Sequence, residues 1–197
     1  MSLVRDLVPP PGPVRVLAVS GLARTIGFGI MMSVAVLYFT RAVDIPAARV
    51  GLGMTIAAAC GMVASVFAGR AADRFGARDT AILLVIVQGV AVSCYGLVGG
   101  FVPFVIAVSV VISCHSSAEA ARGALVAGVV PPDQRVATRA LLHSITNLGV
   151  SLGAVAGGLA LHLDSGPFYA GVLIACGVLF AGSGLVYLRL PAVERVP

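Results

Sequence analysis

The sequence predicts an all-α membrane protein of six transmembrane helices, and three observations support this fold class. Hydrophobic residues make up 59% of the 197-residue chain and charged residues 11%, with a mean hydropathy of +1.05. A soluble domain of this length needs more charge to cover its surface, whereas lipid accepts an apolar one. The charges also lie in short clusters between six long apolar runs, and these runs lack the ten-residue alternation of a membrane β-barrel.

Each apolar run is about long enough to cross the membrane as a helix, because roughly 20 helical residues span about 30 Å of hydrocarbon. The runs cover residues 16–40, 50–68, 80–98, 102–130, 140–161 and 168–188. We therefore divide the chain into a cytoplasmic lead-in of residues 1–15, a six-helix bundle of residues 16–190 and a cytoplasmic tail of residues 191–197.

The distribution of arginine sets the expected orientation. All 13 Lys and Arg residues are Arg, and only Arg41 and Arg49 fall on one side of the predicted membrane. The other side, which such an excess marks as cytoplasmic, carries Arg5, Arg15, Arg70, Arg74, Arg78, Arg122, Arg135, Arg139, Arg189 and Arg195. We therefore expect a multi-pass protein of a cell membrane, of bacterial inner-membrane type, with both termini in the cytoplasm. Because the charges follow the loops, the net charge of +5 does not indicate nucleic-acid binding.

Two of the runs carry glycine at helical spacing. The second run has Gly51, Gly53 and Gly61. The fifth run has Gly149, Gly153, Gly157 and Gly158. Small residues at this spacing let helix backbones approach closely in lipid, so we expect both stripes to be packing surfaces. Each glycine-rich helix is the middle one of three, which indicates a three-plus-three inverted repeat.

Arg24 in the first run and three residues of the fourth run are ionisable side chains inside predicted membrane helices. Arg24 lies about nine residues into the first run, at a depth of ~12 Å or more. In the fourth run, His115, Glu119 and Arg122 stand at i, i+4 and i+7 and share one helix face. A charge in lipid is costly, so these residues should face a cavity or a partner. A structural alternative is that Glu119 and Arg122 pair only with each other at the membrane edge.

The fifth run has a polar stripe as well as its glycine stripe. His143, Asn147 and Ser151 stand at i, i+4 and i+8, about 200° around the helix from the glycines. His143 falls near the cytoplasmic interface. Asn147 is deeper, where it serves either a helix–helix hydrogen bond or the substrate pathway.

The most specific pattern is the signature segment, residues 69–78, with Gly69, Asp73, Arg74, Gly76 and Arg78. We expect a tight cytoplasmic turn in which Gly76 permits the bend and Gly69 permits close helix approach. The pattern Gly-x-x-x-Asp-Arg-x-Gly-x-Arg after the second helix resembles the signature loop of the major facilitator superfamily. Residues 147–158 resemble the antiporter motif of that family's drug exporters, with Ala154 where the motif usually has Pro, and residues 131–135 resemble its second cytoplasmic loop.

The resemblance covers residues 15–190 and implies half of a twelve-helix transporter fold, namely the N-terminal half. It implies that the signature segment packs against a second six-helix half, supplied by a homodimer or a separate chain. It also implies that the first and fourth helices lie beside the central cavity. This placement leads us to expect an Arg24–Glu119 pair with His115 close by, and a substrate or proton pathway that includes Arg122 and Asn147.

The functional hypothesis is proton-coupled export of a small molecule by alternating access, with the proton carried by Glu119 or His115. The expected partners are the lipid bilayer, the substrate, the proton and the second half, with no cofactor and no metal. Two alternatives remain, a truncated fragment without transport activity and a membrane assembly or scaffold protein. An intramembrane enzyme is disfavoured, because the sequence shows no nucleophile–base pair, no phosphate-binding loop and no paired cysteines.

Overall fold

The computed structural model describes residues 12–160 and 166–189, and all regular structure in these ranges is helical. Six helices are long and apolar enough to cross a membrane. They are α1 (Pro13–Leu37), α2 (Ala47–Phe75), α3 (Ala77–Ser93), α4 (Phe101–Val129), α5 (Arg135–Ala160) and α6 (Gly166–Val186). The predicted all-α membrane fold with six transmembrane helices is therefore confirmed.

Proline and glycine set most helix boundaries. Helix α1 begins at Pro13, whose missing N–H would have no helical partner there, and it continues as a π-helical turn at Tyr38–Ala42. Pro46 precedes α2, and Gly100 precedes α4. Helix α3 ends in a 3₁₀ turn at Cys94–Leu97. The connections from α1 through α5 are short, and these successive helices cross the bundle in opposite directions.

The helix contacts follow the expected three-plus-three repeat. The most extensive contacts are α2 with α4, α1 with α5, and α3 with α6, followed by α3 with α4 and α1 with α6. Exchanging α1–α3 for α4–α6 converts α2–α4 into α1–α5 and α3–α4 into α1–α6, and it leaves the pair α3–α6 unchanged. Because each set has three helices, the second set starts from the opposite side of the membrane and is inverted.

The signature segment is more helical than the sequence indicated. We expected a turn, but α2 continues to Phe75 and α3 begins at Ala77, so Gly76 alone makes the bend. Gly76 has a φ of 98°, a conformation that side chains disfavour, and its N–H donates to the carbonyl of Ala72 at 2.9 Å. The polar residues of this segment suggested a turn. A helix can carry charged side chains where it leaves the membrane and still keep its backbone hydrogen bonds.

Aromatic rings close the bundle at the end opposite Gly76. The Phe39 ring lies 4.6 Å from the Phe104 ring and 5.2 Å from the Tyr95 ring, between centroids. All three side chains are buried, and they join the ends of α1, α3 and α4. Such ring pairs each contribute about 0.5–1.5 kcal/mol beyond their buried area. This end of the bundle is thus apolar and tightly packed.

Candidate central site of the bundle

Arg24 is the centre of a polar cluster inside the bundle. It is the twelfth residue of the 25-residue helix α1, and only 1% of it is exposed. Its Nη2 donates to Glu119 Oε1, and its Nη1 donates to His115 Nδ1 at 3.2 Å. The contacts expected between Arg24 and the fourth helix are therefore present, although they do not by themselves assign a role in transport.

His115 of α4 is held by side chains from two other helices. Its ring stacks on the Phe28 ring of α1, with centroids 3.9 Å apart and planes 10° from parallel. Gln88 of α3 lies with its Nε2 3.4 Å from the same Nδ1 that Arg24 contacts. Both neighbours are N–H donors, so Nδ1 accepts and the ring proton belongs on Nε2. The surroundings thus favour a neutral imidazole of one tautomer.

Glu119 contacts a second arginine. Its Oε2 lies 3.6 Å from Arg122 Nη1, one helical turn further along α4. Its side chain is 39% exposed, whereas Arg122 is 5% exposed. Glu119 thus contacts two buried guanidinium groups and still reaches open space. Glu119 therefore does not pair with Arg122 alone, as the structural alternative supposed, because it also accepts a hydrogen bond from Arg24.

A cavity of about 220 Å³ adjoins this cluster, between α4 and α5. It lies toward the end of the bundle that carries the α4–α5 connection and Gly76. Its lining residues are Glu119, Arg122, Gly123, Val126, Arg139, Leu142, His143 and Thr146. The carboxylate of Glu119 is therefore in a position to exchange protons or meet a ligand in this space.

The polar stripe of α5 lies on the surface of the bundle. His143, Asn147 and Ser151 are exposed, and of these only His143 lines the cavity. In the described part of the chain, no hydrogen bond or ion pair joins Asn147 to the cluster around Arg24. A contact of Asn147 with the substrate pathway therefore depends on groups outside this bundle.

The glycine stripe of α5 packs against α1. An added Cβ at Gly153 would overlap the Ile26 carbonyl oxygen, and one at Gly157 would lie 2.8 Å from Ser33 Cβ. Gly149 likewise faces the Thr25 side chain. Gly158 is exposed, and a Cβ there would meet nothing within 4 Å. The close helix contact therefore comes from three of the four glycines.

The glycines of α2 divide in a similar way. Gly53 and Gly61 are buried against Phe104 and Ser116 of α4, while Gly51 is exposed. A Cβ at Gly69 would meet nothing within 4 Å, so Gly69 makes no close helix contact within this bundle.

The charged residues of the signature segment face outward. Asp73 and Arg74 are exposed, and the Arg74 guanidinium lies 5.4 Å from the Phe75 ring centroid. Arg78 Nε lies 3.3 Å from Asp79 Oδ1. Across residues 12–160 and 166–189, no ion pair within 4 Å involves Asp73. Asp73 and Arg74 are thus presented away from the core of the bundle, whereas Arg78 is partly buried and contacts Asp79 within α3.

Two residues that contribute to the cluster were not predicted from the sequence. Gln88 is completely buried, and the signal for it was present, because it is the one amide side chain in the third apolar run. Gly21 of α1 leaves room for Arg122, since a Cβ there would lie 2.7 Å from Arg122 Nη2. No sequence pattern singles out Gly21, because its role depends on the approach of a distant helix.

Comparison with known proteins agrees with this geometry. The family model of the Major Facilitator Superfamily matches residues 17–197, which is most of the chain. No curated protein matches it. The chain therefore belongs to the Major Facilitator Superfamily, and it is a multi-pass membrane transporter of the major facilitator type.

Proposed function

We propose that this member of the superfamily acts as one half of a proton-coupled exporter of a small molecule that works by alternating access. The observation that supports the proposal best is the contact of Glu119 with two buried guanidinium groups beside a cavity. Members of the superfamily are not generally enzymes, and we propose the same for this chain.

Glu119 suits the role of proton carrier better than His115 does. Its side chain is partly exposed to the cavity, so a proton can reach it. Protonation would remove the negative charge that Arg24 and Arg122 share, and so weaken the contact of α1 with α4. By contrast, a proton on His115 Nδ1 would displace the Arg24 donor and place two cations together. Protonation of Glu119 therefore offers a link between proton binding and helix movement.

The test is proton flux in proteoliposomes loaded with a pH-sensitive dye. A panel of small amphipathic compounds is added under an imposed pH gradient, and substrates are recognised by the proton movement they cause. Glu119→Gln keeps a hydrogen-bond acceptor for Arg24, so it should fold and lose the proton movement. Asp133→Asn, in the exposed α4–α5 connection, is the matched control and should behave as the unaltered chain. Undiminished proton-coupled flux in Glu119→Gln would exclude Glu119 as the carrier.

The proposal requires a second six-helix half, from a second copy or a separate chain. The support is the exposure of Asp73 and Arg74 in the signature segment and of Asn147 and Ser151 in the polar stripe of α5. Two copies with different affinity tags, expressed together, should co-purify if the partner is a second copy. Transport without co-purification would point to a separate chain. If neither co-purification nor transport is observed, the alternatives of an inactive fragment or an assembly protein are favoured.

We propose that both termini are cytoplasmic, so that the signature segment meets the second half on that side. The excess of arginine at the Gly76 end supports this orientation. In a cysteine-free background, Asp133→Cys should react with an impermeant thiol reagent only from the cytoplasm, and Gly99→Cys only from outside. The reverse labelling pattern would show that the orientation in the membrane is opposite.

The signature segment is tested separately. Asp73→Asn should impair transport while leaving membrane insertion intact, and normal transport would remove the proposed role of the signature segment.

A further inference from the structure

The guanidinium of Arg122 is only partly used by its surroundings. Its Nη1 faces Glu119 at 3.6 Å, but its Nε and Nη2 have no hydrogen-bond partner within the described ranges. Arg122 is 5% exposed, so these two N–H groups are also shielded from bulk solvent. Buried donors without a partner are rare, because they lose their hydration without replacement. Nε and Nη2 therefore need an acceptor that the described residues do not supply.

The two unpartnered nitrogens form one edge of the guanidinium plane. This edge presents two parallel N–H groups, which match the two oxygens of a carboxylate or phosphate. Gly21 of α1 lies directly against this edge, since a Cβ there would lie 2.7 Å from Nη2. Arg122 also lines the 220 Å³ cavity, together with Arg139 and Thr146.

The local charge favours an anion in the same place. Arg24 and Arg122 together outweigh the single carboxylate of Glu119, which leaves one net positive charge in the buried cluster. Arg139, which is exposed at the cavity, adds a second. The remaining titratable group that faces the cavity is His143. An anion in the cavity would thus lie near excess positive charge and near the two unpartnered N–H groups of Arg122.

We propose that the cavity binds a small anion through a carboxylate or phosphate group, which the Nε–Nη2 edge of Arg122 holds in a bidentate contact once the side chain turns from Gly21 toward the cavity. This inference rests on the proposed function, because it names the substrate class of that transporter. Glu119 does not bind the anion and remains available to bind the proton, and Arg139 attracts the anion to the cavity.

The experiment measures thermal unfolding of the purified full chain in nanodiscs of phosphatidylcholine. Cys60 and Cys94, which are free and exposed, are replaced by Ser. Cys114 and Cys176 are free and buried, so a fluorogenic maleimide then reports unfolding when they become accessible. The probes are benzoate and inorganic phosphate, with uncharged benzamide and cationic benzylammonium as controls of similar shape. Benzoate or phosphate should raise the midpoint in a saturable way, whereas benzamide and benzylammonium should not. Equal stabilisation by benzamide, or no stabilisation by either anion, would overturn the proposal.

Variants locate the binding site. Arg122→Gln should weaken anion binding roughly tenfold or more, because it removes a charged bidentate contact. Arg139→Gln should weaken it by a smaller factor, and Arg49→Gln, an exposed arginine at the other end of the bundle, should leave it unchanged. If Arg122→Gln fails to fold, Arg122→Lys serves instead, and it should weaken binding by loss of the planar fork. Unaltered anion binding in both cavity variants would place the anion elsewhere.

A final arm separates a soluble anion from a lipid headgroup. Phosphatidylglycerol is added to the nanodiscs, and the benzoate titration is repeated. If the natural occupant is a lipid phosphate, the anionic lipid should compete and shift the benzoate midpoint to higher concentration. No shift supports a soluble anion. If no anion binds but proton flux still depends on Glu119, this inference alone is rejected. If an anion binds but proton flux does not depend on Glu119, only the proton role of Glu119 is rejected.

Discussion

Helix α1 contacts α5 and α4 in two different ways. Toward α5 the contact is backbone against backbone, with Gly29 and Gly153 so close that a Cβ on either would lie 3.0 Å from the other's Cα. Toward α4 the contact is between long side chains, with Arg24 reaching both His115 and Glu119. The first interface leaves almost no room, and the second adjoins a cavity.

This difference indicates how the bundle divides its tasks. In lipid there is little hydrophobic gain from helix association, so close packing of small residues is a main source of stability. Such packing has one arrangement and resists change. An ion pair at a cavity has two arrangements, paired and separated, because protonation of the carboxylate removes the ion pair. We therefore expect α1 and α5 to move as one unit and the contact of α1 with α4 to respond to protons.

The largest expected effect comes from enlarging the glycine interface. Gly153→Leu places a side chain against the Ile26 carbonyl, where only backbone could move aside, so it should cost more than about 3 kcal/mol and sharply lower the folded yield. Gly158→Leu, five residues further along α5 and exposed, is the matched control and should be tolerated. Folded yield is measured by size-exclusion chromatography. Equal yields for the two variants would show that the glycine stripe does not hold α1 to α5.

A smaller effect is expected on the side of α1 that faces α4. Gly21→Ala brings a methyl group near the end of the Arg122 side chain, which can shift by a few tenths of an ångström. Alanine also favours the helix, so the net change in unfolding free energy should be under about 1 kcal/mol. Gly123→Ala, where a Cβ would meet nothing within 4 Å, is the control. A loss as large as that of Gly153→Leu would mean that both interfaces of α1 are equally rigid.

A similarly small effect is expected at Gln88. Its Nε2 lies 3.4 Å from His115 Nδ1, at the long end of hydrogen-bond distance, and its buried Oε1 has no partner in the ranges described. Gln88→Leu removes a weak bond and an unsatisfied acceptor together, so the unfolding free energy should stay within about 1 kcal/mol. Thermal unfolding with the maleimide reagent measures this. A large destabilisation would show that Oε1 has a partner that the structure does not describe.

Sequence reasoning succeeded where one physical rule decides the outcome. Apolar length and composition predicted the six helices, and glycine spacing indicated the surface on which α5 packs. The contact of Arg24 with Glu119 was expected only through the family resemblance, because spacing within a helix says nothing about its neighbours. Gly21 and the free edge of Arg122 could not be predicted, since both depend on how closely α1 and α4 approach.

The most direct test of the central claim is a double-mutant cycle on Arg24 and Glu119, with the free energy of unfolding measured in mixed micelles of a denaturing detergent. Glu119→Met leaves the almost fully buried Arg24 without its carboxylate and should cost about 3 kcal/mol. Adding Arg24→Met should recover at least about 1 kcal/mol of this loss, and the exchange of Arg24→Glu with Glu119→Arg should recover part of it. Strictly additive effects would show that the two residues do not interact, and the polar contact between α1 and α4 would have to be abandoned as the responsive site of the bundle.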